Sequence, residues 1–144
     1  MKTERAFWDT SAIIPLCCVQ DFSPAARRTF RRFPKPALWW GTPVEVRSAF
    51  ERLKSHNVLP NERSAIRHWS NFKAKAIEVQ PDAALLSIAE SIPATYGLRA
   101  LDAFQLAAAL VWCREKPRNR PFVCADRRLS DAATDAGFDV IDVG

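Results

Sequence analysis

The chain has 144 residues, 48% of them hydrophobic and 26% charged, which is enough apolar material for one domain spanning 1–144 to bury a core without disulfide or metal staples. Four glycines and ten prolines form no repeat or low-complexity tract, and this excludes a disordered or linker-like chain. Lysine and arginine outnumber aspartate and glutamate 21 to 16, a formal net charge of +5, which favours a polyanionic partner such as RNA or DNA.

The cysteines, Cys17, Cys18, Cys113 and Cys124, contain no C-x-x-C pair, and only His56 and His68 add imidazoles. A zinc site is not expected from that set. Three of the four thiols lie in apolar stretches, where a free cysteine behaves as a small hydrophobe in a reducing compartment, so the cytoplasm is the expected location. No apolar leader is visible at the start, and the longest uncharged helical run, 103–113, is too short to span a bilayer.

Short apolar runs alternate with longer helical patterns along the chain. That order predicts an α/β fold, a three-layer α/β/α sandwich on a mainly parallel sheet. The first strand is expected at 6–8, followed by a helix capped by Thr10 or Ser11 with Pro15 in its first turn, where a missing N–H costs little. Residues 25–33 form a basic helix carrying Arg27, Arg28, Arg31 and Arg32, stopped by Pro34 and Pro36. A second strand is expected at 37–40, and Thr42 with Glu45 three residues later has the pattern of a capping box. Val46, Ala49, Phe50 and Leu53 continue that helix, and Ile66, Trp69 and Phe72 give a fourth amphipathic helix within 60–76.

A short strand is expected at 77–79, and Pro81-Asp82 opens a helix that 93–97 closes. The run 101–114 is apolar nearly all round and reads as a core helix buried on several sides. After a loop at 117–121, a strand at 122–125 turns through Asp126-Arg127-Arg128 into a helix ending near Gly137, and 138–143 forms the last strand.

Four acidic residues share similar local settings. Asp9 follows the first strand, Glu45 lies in the first turn after the second, Asp102 opens the core helix, and Asp126 follows a late strand. Ligand sites of open parallel sheets lie beyond the carboxyl ends of the strands, so these residues are expected to converge, Asp102 being least constrained by connectivity. Each also has a plainer role, since Asp9 and Asp126 suit helix N-caps, Glu45 the capping box, and Asp102 the helix dipole. Gathered carboxylates repel one another unless a hard cation neutralises them, and oxygen-only ligation suits Mg²⁺ or Mn²⁺. Such ions activate water and stabilise a leaving oxygen, so the expected reaction is phosphodiester hydrolysis.

Segments 7–14, 42–49, 98–109 and 122–129, with Asp9-Thr10-Ser11, Thr42 and Glu45, Asp102, and Asp126 in that order, together resemble a PIN domain, and more narrowly a VapC-type toxin of a toxin–antitoxin pair. The resemblance extends over essentially the whole chain. It implies an endoribonuclease acting on RNA, a Mg²⁺ or Mn²⁺ site, a cognate antitoxin partner and a homodimer, with no membrane association. Asp9, Glu45, Asp102 and Asp126 match the family's acidic metal-binding and catalytic positions, with Asp131 a nearby substitute for Asp126. Phe104-Gln105 stands where many relatives have a Leu-His pair; in the body of a helix, this departure is expected to leave the chemistry untouched. Arg47, Arg99, Arg127 and Arg128 flank the motifs as candidate phosphate contacts. Helix 25–33 and its neighbour 45–54 are the expected surfaces for an antitoxin segment or second subunit.

Two other classes compete. A PIN-fold module that only docks RNA or protein retains the same acidic pocket. A phospho-acceptor domain needs Lys and Thr at the ends of the late strands, and the sequence has no convincing pair there.

Overall fold

A computed structural model describes residues 4–144. In chain order these form β1 (Arg5–Trp8), α1 (Thr10–Cys17), α2 (Ser23–Arg32), β2 (Lys35–Trp39), α3 (Thr42–Ser55), α4 (Glu62–Ala74), β3 (Ile77–Val79), α5 (Ala83–Tyr96), α6 (Ala100–Trp112), β4 (Pro121–Cys124), α7 (Arg127–Ala136) and β5 (Asp139–Asp142). The strands make one sheet in the order β3-β2-β1-β4-β5, and every neighbouring pair is parallel. The α/β/α expectation therefore holds.

Strand side chains alternate between faces, and here both faces are covered. Phe7, Ala37, Trp39, Phe122 and Cys124 point to a core made with α5, α6 and α7. Ala6, Trp8, Leu38 and Val123 point the other way, to α1–α4. A strand buried on both sides reads as a short continuous apolar run, which is how Ala6-Phe7-Trp8 and Phe122-Val123-Cys124 appear in sequence. Phe7 stacks on Phe122 across the β1–β4 pair at 5.5 Å. On the opposite face Trp8 meets Phe30 and Phe72 edge-on. Trp8 and Phe7 are fully buried, each contributing about 1.5–3 kcal/mol of transfer free energy.

The chain moves outward from β1 to β2 to β3 and then returns to lay β4 and β5 on the other side of β1. The reversal falls between β1 and β4. Loops leaving the carboxyl ends of these two strands part in opposite directions there and open a crevice.

Two local expectations are corrected. Pro15 lies inside α1, beyond its first turn, so the ladder bond to the Ser11 carbonyl is absent. The helix tolerates this because tertiary contacts hold its end: Ser23, completely buried, donates its hydroxyl to the Pro15 carbonyl at 2.6 Å and lies 3.2 Å from that of Cys18. Helix α5 closes over 93–97 as expected, Pro93 lying in its last turn and Gly97, with a φ of 68°, forming the left-handed cap that glycine adopts cheaply. Thr42 is the first residue of α3 rather than its cap; Gly41 holds the cap position with no side-chain cap bond, and the expected capping box does not form.

All four cysteines are free thiols. Among the described residues no helix is long and apolar enough to cross a membrane.

Candidate functional site

Asp9 leaves the end of β1 and is the N-cap of α1, a place expected for Thr10 or Ser11. Its Oδ2 accepts the Ser11 backbone N–H at 3.1 Å and also the Ser11 hydroxyl. Ser11 Oγ in turn accepts the Ala125 N–H at 2.9 Å, and the Asp9 N–H is donated to the Val123 carbonyl at 3.0 Å. The ends of β1 and β4 are thereby tied together. Asp126 follows β4 and caps α7, its Oδ1 accepting the Leu129 N–H at 2.8 Å. Capping and site formation are one geometry here: a carboxylate at a strand-to-helix turn has one lone pair on the helix and others facing the crevice.

Glu45 and Asp102 come from the first turns of α3 and α6. The Glu45 Oε1 accepts the Thr10 hydroxyl at 3.1 Å. Behind it lies Gln105, one turn along α6 from Asp102 and completely buried. Its Nε2 is 3.2 Å from Thr10 Oγ1 and from Thr42 Oγ1, and 3.4 and 3.3 Å from the two Glu45 carboxylate oxygens. Only the N–H side of an amide suits that acceptor-rich corner. The Gln105 carbonyl oxygen is left buried with no hydrogen-bond partner, a cost of about 1–3 kcal/mol.

Asp9, Glu45, Asp102 and Asp126 all line one cleft of about 890 Å³. Asp9 is 4% exposed; Glu45 and Asp102 are half-buried and Asp126 is exposed. Their charges act on one another. Burial, aided by the charges of Asp102 and Asp126, raises Asp9 to about 6 despite the Ser11 hydrogen bonds. Burial and the Asp9 charge raise Glu45 to about 7, against the lowering effect of Gln105 and Thr10. Asp102 is raised by burial and by Asp126, and partly relieved by Arg128 and Arg99. Electrostatic repulsion of this kind is relieved by a cation.

The donor set fits a hard divalent ion, being made of oxygens alone. The nearby Cys124 thiol is not a competing soft ligand: its Sγ bonds to the Asp126 backbone, and burial, with the Asp9 charge, pushes it up to about 12. No three His, Cys, Asp or Glu side chains among the described residues stand as a ready cation cage. The facing wall of the cleft is apolar, formed in part by Trp40, Val44, Leu86 and Leu101, each at least 48% exposed.

The structure thus brings together all four residues singled out from sequence. Asp131, the alternative to Asp126, does not line the cleft. Arg47, Arg99, Arg127 and Arg128 are exposed, and none of them lines the cleft. Gln105, set aside in the sequence reading as a helix-body substitution, lies against Glu45. The available signal was a single amide in an otherwise apolar helical run, three residues after Asp102.

No family model and no curated protein matches the chain. Solved structures do. A chain of a toxin–antitoxin complex from Klebsiella pneumoniae superposes with a TM-score of 0.63 at 17% identity, covering 96% of this chain and 98% of the other. The crystal structure of PAE2754 from Pyrobaculum aerophilum gives a TM-score of 0.61 at 20% identity, over 99% of this chain and 91% of the other. At these identities the likeness is one of fold.

Proposed function

We propose that the chain is a Mg²⁺- or Mn²⁺-dependent endoribonuclease, a PIN-domain toxin of the VapC type that acts as a homodimer and is restrained by a cognate antitoxin. The observation that carries this reading is the convergence of Asp9, Glu45, Asp102 and Asp126 on one cleft at the strand-order reversal. The Klebsiella chain of similar fold and nearly equal extent is part of a toxin–antitoxin complex, and this supports the toxin and antitoxin assignments. The net charge of +5 favours an RNA substrate.

In this reading Asp9, Glu45 and Asp102 hold the cation, and Asp126 completes the site or orients the attacking water. The ion supplies Lewis acidity and a water of lowered pKa. The protein supplies placement: Ser11 fixes the Asp9 carboxylate, Thr10 bridges to Glu45, and the caps of α1 and α7 keep both strand ends in register. A polyanion entering this cleft meets negative charge, which a cation held by these carboxylates would offset.

The test is RNA cleavage by the purified chain with Mg²⁺ or Mn²⁺, against EDTA and an Asp102→Asn variant. We expect metal-dependent cutting that the variant lowers at least ~100-fold. Cutting that survives both EDTA and the substitution sinks the assignment. Metal-independent RNA binding without cleavage by the folded, antitoxin-free chain turns the reading to a non-catalytic binding module, and elution at monomer size removes the homodimer.

A further inference from the structure

We propose that Gln105 is a positioning residue that holds the Glu45 carboxylate in the orientation from which it binds the divalent cation; this rests on the metal-site reading above. Gln105 is completely buried and does not line the cleft, whereas Glu45 and Thr10 do. It therefore acts through its neighbours and never on substrate. Its Nε2 straddles the carboxylate, 3.4 Å from Oε1 and 3.3 Å from Oε2. A donor shared by both oxygens holds the carboxylate toward α6, and the Thr10 hydroxyl on Oε1 alone fixes its turn about the last side-chain bond. The same nitrogen is 3.2 Å from Thr10 Oγ1 and from Thr42 Oγ1, so one amide links α1, α3 and α6 at the floor of the cleft.

An amide nitrogen has two protons and meets four acceptors here, while the amide's own carbonyl oxygen is buried without a partner. A glutamine placed for packing or for its own satisfaction does not stand this way. The arrangement serves the carboxylate. Groups that orient a metal ligand from behind change metal affinity by 10–100-fold when removed.

The hypothesis is tested by Mn²⁺ binding to the full-length chain at pH 8, followed by calorimetry or by the electron-spin signal of free Mn²⁺. Gln105→Met keeps the volume and removes the N–H; Gln105→His retains a ring N–H donor. We expect the Met variant, folded by circular dichroism, to bind Mn²⁺ about 10-fold or more weakly, and the His variant to recover part of that loss. Met binding within twofold of the unsubstituted chain, or Met and His equally impaired, overturns the role. A second readout needs neither the ion nor a Gln105 variant. The Gln105 side-chain amide protons, followed by ¹⁵N NMR, should shift when Glu45→Gln replaces the carboxylate, and unmoved protons overturn the contact. If the unsubstituted chain takes up no Mn²⁺ while those protons do shift, the metal-site reading fails, the metal role assigned here fails with it, and the hold of Gln105 on Glu45 stands.

Discussion

Asp9 concentrates the conflict built into the site. It is almost wholly buried, caps α1, and carries a carboxyl raised to about 6, so at neutral pH the fold holds a charge that its surroundings oppose. Asp9→Asn keeps an oxygen for the Ser11 N–H and removes that charge. We expect it to abolish RNA cleavage and to raise the melting temperature at pH 7.5 by about 2–6 °C, measured in EDTA. A variant that melts lower than the unsubstituted chain contradicts the electrostatic account. Residues of this kind were legible in the sequence because a carboxylate after an apolar run signals both a cap and a site. Gln105 was legible only in part: a lone amide in an apolar run signals burial, but nothing local names Glu45, 60 residues away, as its neighbour.

Element boundaries show what local rules can and cannot supply. β3 lies where 77–79 was expected and the other strands begin within two residues of expectation; for β1 and β4, burial on both faces leaves unbroken apolar runs. One proline misled. Pro93 lies in the last turn of α5 as expected, but Pro15, read by propensity as part of a helix start, lies beyond the first turn of α1, where tertiary packing outweighs the lost ladder bond. Thr42 and Glu45 had capping-box spacing, but Glu45 finds Thr10 and Gln105 instead, partners that no window of sequence contains. The support beneath Pro15 can be measured. Ser23→Ala removes the hydroxyl bonded to the Pro15 carbonyl and the acceptor for the Gln20 N–H, leaving buried groups unpaired. It should cost about 1–3 kcal/mol in denaturant unfolding and leave cleavage per folded molecule unchanged; a neutral effect on stability dismisses the hydroxyl as a support.

Across the whole molecule, pH reports the clustered carboxylates together. Asp9 at about 6 and Glu45 at about 7 lie above their ordinary values of 3.8 and 4.5, so between these limits the native state binds more protons than the unfolded one. Stability from these groups is present at the acid end and is lost as pH rises through about 6 and 7. The metal-free melting temperature should therefore fall from pH 5 to pH 7.5, and the fall should flatten in an Asp9→Asn, Glu45→Gln double variant. An undiminished slope in that variant assigns the pH dependence to other groups.

The central place of β1 also has a consequence for timing. β1 ends at Trp8, yet one of its two strand partners, β4, begins only at Pro121. Asp126 and the Ala125 N–H that steadies Ser11 come later still. A nascent chain folding from its amino end has Asp9, Glu45 and Asp102 in hand without the wall that frames them. Whatever the cleft does in the cell, its full wall is in place only after β4 and Asp126 have been synthesised.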